Sequence, residues 1–160
     1  MDRGSCSFIG GGYDNVMSGS FVCAGQMPGH ASVIVGGACN FSTARCSFIG
    51  GGRNNRFGNE SFPQRYNVIV GGNSNYASGS CNTIVGGESN ETFGVNADAS
   101  NTTVDSQFIG AGRLNHMCTD CGVIVGGLAN TSSADVFGFI GGGCCNHIQY
   151  EWKFYRTWVW

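Results

Sequence analysis

Three observations predict an all-β fold, a parallel β-solenoid with coils of ~15 residues. First, one nine-residue motif returns eight times: SFIGGGYDN ending at Asn15, SVIVGGACN at Asn40, SFIGGGRNN at Asn55, NVIVGGNSN at Asn75, NTIVGGESN at Asn90, QFIGAGRLN at Asn115, GVIVGGLAN at Asn130 and GFIGGGCCN at Asn146. Second, every copy carries Ile at its centre, and the residues flanking that Ile vary together. Third, the composition withholds helix formers: Gly contributes 28 residues, Leu occurs only at Leu114 and Leu128, and Lys153 is the sole Lys. The regular apolar columns also set the chain apart from Gly-rich disordered sequences, which lack apolar area to bury.

The strand is read from the centre of the motif. Ile9, Ile34, Ile49, Ile69, Ile84, Ile109, Ile124 and Ile140 form one column. Their neighbours point to the opposite face, because side chains alternate along an extended chain. Where the first neighbour is Phe8, Phe48, Phe108 or Phe139, the second is Gly; where the first is Val or Thr, the second is Val. Large-plus-nothing against medium-plus-medium conserves volume, as a packed interior requires. The expectation is that both faces of the strand are buried, with Phe8, Phe48, Phe108 and Phe139 in the core beside the Ile column. On that reading Phe48→Val leaves a void, and adding Gly50→Val recovers part of the loss by rebuilding the alternative pair. Strands buried on both faces belong to parallel arrangements.

Each motif ends on Asn15, Asn40, Asn55, Asn75, Asn90, Asn115, Asn130 or Asn146. Asn suits a corner because it tolerates left-handed backbone angles, and Asn stacked coil over coil can form a ladder of amide hydrogen bonds. The stretch Tyr76-Ala77-Ser78-Gly79-Ser80-Cys81 reads as a second short strand followed by a Gly-assisted bend. Spacings between successive Ile residues are 25, 15, 20, 15, 25, 15 and 16. The longer ones are expected to hold degenerate coils at Phe21–Pro28 and Phe93–Asn101, and a protruding loop at Arg56–Pro63. The repeat domain spans residues 1–146. Residues 147–160, with all three Trp, read as an aromatic strand that caps or docks the end of the solenoid.

Charge and length exclude several functions. The net charge is −2 with scattered charges and no basic stripe, so no nucleic-acid partner is expected. No apolar run reaches the ~18–20 residues of a membrane span. The first motif follows Met1-Asp2-Arg3-Gly4-Ser5-Cys6 at once, so no signal peptide is expected. Cytosolic synthesis is therefore expected. The 9 cysteines then read as reduced thiols, with Cys6, Cys46, Cys81 and Cys121 as small buried residues three positions before the Ile. Of the five Asn-x-Ser/Thr sequons, those at Asn40, Asn90 and Asn130 are by-products of the motif, and those at Asn59 and Asn101 lie outside it.

Chemistry is sparse. The glycines lack the Gly-Lys-Ser/Thr ending of a phosphate loop and recur in every copy, so they read as structural. The spacings do not fit the six-residue repeat of β-helical acyltransferases, and no catalytic residue or cofactor is assigned. The only candidate metal ligands are His116, Cys118 and Cys121. Cys144 and Cys145, adjacent in an extended strand, should point to opposite faces. The alternating S-F-I-G-G-G-x-x-N and S/N-V/T-I-V-G-G-x-x-N units, over residues 5–146, resemble repeats in fibre proteins of phages and large DNA viruses. They are also similar to the head repeats of trimeric autotransporter adhesins. The resemblance implies a homotrimeric β-roll and a structural place in a virion, with other particle or capsid proteins as partners; the alternative it implies is an adhesin-like module that binds a receptor or glycan at the cell exterior.

Overall fold

The computed structural model describes residues 7–18, 31–58, 64–94, 106–133 and 137–149. The described residues contain no helix. They form sixteen two-residue strands in two parallel sheets of eight. The first sheet takes the strand at the centre of each motif: β1 (Phe8–Ile9), β3 (Val33–Ile34), β5 (Phe48–Ile49), β7 (Val68–Ile69), β9 (Thr83–Ile84), β11 (Phe108–Ile109), β13 (Val123–Ile124) and β15 (Phe139–Ile140). The second takes the two residues after each motif Asn: β2 (Val16–Met17), β4 (Phe41–Ser42), β6 (Arg56–Phe57), β8 (Tyr76–Ala77), β10 (Glu91–Thr92), β12 (His116–Met117), β14 (Thr131–Ser132) and β16 (His147–Ile148). A third column of parallel bridges runs through Tyr13, Ala38, Arg53, Asn73, Glu88, Arg113, Leu128 and Cys144.

Each copy of the motif is one rung of the solenoid. Ile pairs with Ile throughout the first sheet, as in Ile34↔Ile49 and Ile69↔Ile84. Copies separated by longer spacings keep this register, as in Ile9↔Ile34 and Ile84↔Ile109. The additional residues all fall between the second-sheet strand of one coil and the first-sheet strand of the next. Arg56 and Phe57 belong to β6, with Phe57 fully buried, so the loop expected at Arg56–Pro63 does not include them; residues 59–63 lie outside the described residues. The expected degenerate coil Phe21–Pro28 lies outside the described residues, as does most of Phe93–Asn101. His147–Ile148 closes the second sheet, so the solenoid runs past Asn146; residues 150–160 of the expected cap lie outside the described residues.

The core is thin and has two unlike walls. Ile34, Ile49, Ile69, Ile84, Ile109 and Ile124 are fully buried, Ile140 nearly so, and Ile9 packs against them at the end rung. Facing them from the second sheet are Met17, Ser42, Phe57, Ala77, Thr92, Met117, Ser132 and Ile148, of mixed size and all buried. Two apolar side chains per coil at most supply little burial, so the interior relies on hydrogen bonds as well.

Those bonds come first from the motif asparagines. Asn40 through Asn130 are fully buried and Asn15 nearly so. Each backbone N–H donates to the Oδ1 of the asparagine one rung before, from Asn40 to Asn15 (3.0 Å) through Asn146 to Asn130 (3.0 Å). The side-chain amide of Asn75 donates to Asn55 Oδ1 (3.2 Å), to its own turn at Gly71 O (3.1 Å) and to the next rung at Gly87 O (3.1 Å). The asparagine is thus an interior rung. The left-handed backbone falls on the residue before it: Asp14, Cys39, Asn54, Ser74, Ser89, Leu114, Ala129 and Cys145 have φ between 52° and 60°, Leu114 at 57° and Cys145 at 60°. Asn is selected for its side chain, and its tolerance of left-handed angles is not used. The sequon residues Asn40, Asn90 and Asn130 spend their amides in this ladder. A glycan on any of them is incompatible with the fold.

A second ladder lines the opposite corner, two residues before the Ile. The N–H of Ser47 donates to Ser32 Oγ (3.3 Å), Asn67 to Ser47 Oγ (3.1 Å), Asn82 to Asn67 Oδ1 (3.0 Å) and Gln107 to Asn82 Oδ1 (2.9 Å), all buried. In the next two coils Gly122 and Gly138 hold this position, where a Cβ would run into Met117 Sδ and Ser132 Oγ.

The two glycines of the motif differ in their duties. At the second, Gly72 for example, φ is +96° and a Cβ would overlap the carbonyl oxygen of Gly87 and crowd the Asn75 amide at 2.6 Å. At the first, Gly71, a Cβ would meet open space, and one natural copy carries Ala111 there. Gly71→Ala is expected to shift stability by no more than about 0.5 kcal/mol, and Gly72→Ala to cost more than about 2 kcal/mol; urea titrations of the two variants distinguish them. Asn75→Ala strips a buried rung of several partners and should cost about 3 kcal/mol or more. Asn73→Ala, on the outside of the same coil, should stay within about 0.5 kcal/mol. Equal losses for the two Asn variants would refute the interior ladder.

Candidate functional site

The structure turns the paired Phe/Val columns outward. Phe8 is 55% exposed and Phe48 37%, with Phe108 and Phe139 also exposed, as are Val35, Val70, Val85 and Val125. This corrects the expectation that Phe8, Phe48, Phe108 and Phe139 belong to the core beside the Ile column; in the single chain the second face of the strand is open. Two-residue strands enclose only one interior face, and Ile takes it. The outer face of the first sheet is therefore a continuous apolar stripe over eight rungs, about 34 Å long at ~4.8 Å per rung. None of its sixteen positions, the flanking pair on each Ile, is charged.

The Phe/Gly pairing has a cause other than volume. A Cβ at Gly10, Gly50 or Gly110 would lie 3.1–3.4 Å from Cε1 of Phe8, Phe48 or Phe108. Each ring thus lies along its own strand over the glycine two residues on. The same Cβ would overlap the carbonyl oxygen of Val35, Val70 or Val125 in the next rung. Phe-Gly and Val-Val are consequently not interchangeable at a given rung without a backbone shift, which argues against the partial recovery of Phe48→Val by Gly50→Val. Gly50→Val is expected to destabilise more than Phe48→Val, whose ring is already partly in water. The double variant should be less stable than Phe48→Val alone, by denaturant titration; recovery in the double variant would restore the volume argument.

The other two outer faces carry the charges. On the bridge column, Arg113 Nε lies 3.3 Å from Glu88 Oε2, an exposed pair of small energetic weight. On the second sheet, the Arg56 guanidinium sits 4.9 Å from the centre of the Phe41 ring. Further along, Phe93 stacks on His116 (5.2 Å) and contacts Tyr76 (5.6 Å), while His116 Nδ1 is 3.6 Å from Glu91 Oε2. His116 is thus engaged on the outer face of β12. Cys118 and Cys121 are partly buried, and Cys121 occupies a left-handed corner with φ 56°. Burial raises the pKa of the neighbouring Asp120, disfavouring the charged form a cation would require. Among the described residues no group of three or more His, Cys, Asp or Glu is placed to hold a metal ion.

The cysteine column is also corrected. Cys46 and Cys81 are exposed, and with Ala31, Tyr66, Ser106 and Cys121 they occupy left-handed corners, φ 39–61°. Its mixture of residue types reflects side chains that leave the interior at a bend, not a small-residue core. Cys6 lies outside the described residues. The second polar ladder escaped sequence reading, although its signal was present: Ser, Asn or Gln stands two residues before six of the eight Ile. The chain matches no known protein-family model, and no curated protein is significantly similar to it.

Proposed function

We propose that the chain is a structural module, a rigid rod that assembles as a homotrimer and serves mechanically as a fibre, spike or capsid-associated element of a virion, beside other particle proteins. The observation that carries the reading is the uncharged apolar stripe on the first sheet. A regular row of Phe and Val, interrupted by glycines and by Thr83 alone among polar side chains, beside two charge-bearing faces is the composition of a surface covered in the assembled state. Three copies arranged with these stripes inward would cover all three and leave the charged faces in water. The motif's likeness to viral fibre repeats supplies the virion setting, and no catalytic role is assigned. The adhesin-like alternative draws on a different observation, the aromatic cluster of Tyr76, Phe93 and His116 on the second sheet, where a receptor or glycan would stack.

Sedimentation velocity at micromolar concentration tests the assembly. The wild-type chain is expected to sediment as a trimer, and Phe48→Asp with Phe108→Asp as a folded monomer with an unchanged far-ultraviolet spectrum. A well-folded wild-type monomer would defeat the trimer and the mechanical role together.

A further inference from the structure

The last coil places two thiols against each other. Cys144 is the end of the bridge column, paired with Leu128, and Cys145 is the left-handed residue that follows it, φ 60°. An extended pair would separate its side chains to opposite faces, as the sequence reading expects. The left-handed angle removes that alternation, and the two sulfurs lie 2.9 Å apart. Both residues are exposed free cysteines. The convergence belongs to the backbone of this corner. In the equivalent pair four rungs earlier, the Ser74 hydroxyl donates to Asn73 Oδ1 at 3.3 Å.

We propose that Cys144 and Cys145 form a reversible vicinal dithiol, a modification site that closes to an intrachain disulfide by exchange with a low-molecular-weight disulfide. One thiol loses its proton to solvent, and the thiolate attacks a sulfur of the reagent. A mixed disulfide forms, and one reagent thiolate leaves and is protonated. The neighbouring thiol, once ionised, attacks the protein sulfur of that mixed disulfide, forming the Cys144–Cys145 bond and expelling the second reagent thiol. Protein dithiol and reagent disulfide become protein disulfide and two reagent thiols, so atoms and electrons balance. The contact already made sets the second step: the resolving sulfur is in place before the first attack. The hydrogen bond with Cys145, which favours the neutral Cys144 thiol, and secondarily desolvation raise the pKa of Cys144, so closure quickens as pH rises and thiolate becomes available. Cys46 and Cys81 are exposed without such an arrangement at their own corners, and they serve as internal controls.

Folded full-length protein is exposed to glutathione disulfide, quenched by alkylation and read by tandem mass spectrometry. The expected wild-type product at Cys144–Cys145 has lost two hydrogens and carries no glutathione, while Cys46 and Cys81 retain glutathione adducts. Cys145→Ser should trap glutathione on Cys144, because the resolving sulfur is gone. Wild-type protein that keeps the adduct at Cys144 or Cys145 as fully as Cys145→Ser does would overturn the proposal. So would a pair that stays reduced while Cys46 and Cys81 react. A wild-type pair that cross-links between chains on a non-reducing gel would overturn it too. The outcome is independent of whether the chain forms trimers.

Discussion

The structure depends on a buried amide. Each coil offers the interior one Ile and one residue of variable size, too little apolar area to hold a rung by itself. The corner between the bridge column and the second sheet also buries backbone groups that need partners. The motif asparagine meets both needs from one position. Its Oδ1 accepts the next asparagine's N–H, and its Nδ2 donates to the carbonyl of its own turn and to a glycine carbonyl one rung on. Asp has the same shape without the donors, and Gln places the amide a methylene too far. Since successive bonds run in one sense, each amide polarises the next.

The ladder dictates its surroundings. Gly87 O reaches Asn75 Nδ2 only because Gly72, lying between, has no Cβ and adopts φ +96°. The residue before Asn must turn left-handed so that the Asn side chain enters the interior, and Leu114 accepts φ 57° there because its side chain is exposed. Strain at the corner is thereby offset by bonds in the core. The second ladder applies the same logic at the other corner with mixed residues, Ser, Asn and Gln, and ends where Gly122 and Gly138 yield room to Met117 and Ser132.

Periodicity made the solenoid legible: the recurrent Ile, its 15-residue minimum spacing and the terminal Asn name the rungs, and the structure pairs those rungs in register. Facing was not legible. The covariation of Phe with Gly and Val with Val looks like volume conservation, yet it records a ring lying over a glycine and a carbonyl in the next rung. A single sequence does not separate contacts within a strand from contacts between layers. Residue preference misled in a second place. Asn is the usual left-handed residue, so the bend was placed on Asn75 when it belongs to Ser74, whose φ is 57°. The thiol pair at Cys144 and Cys145 was hidden for the same reason, because strand alternation fails at a corner whose location had been shifted by one residue.

The unequal spacings carry a consequence of their own. Ile9 and Ile34 pair as faithfully as Ile34 and Ile49, although ten more residues separate the first two. Extra length enters the chain only between a second-sheet strand and the following first-sheet strand, so it never shifts a rung. Two edges of the rod are held to a fixed count by the glycine turn and the asparagine; the third is free to grow. Such a molecule separates its tape measure from its ornament. Rod length is set by the number of motifs, while segments of any size can be added along one edge without rethreading the coils, and the apolar stripe on the first sheet keeps its spacing throughout.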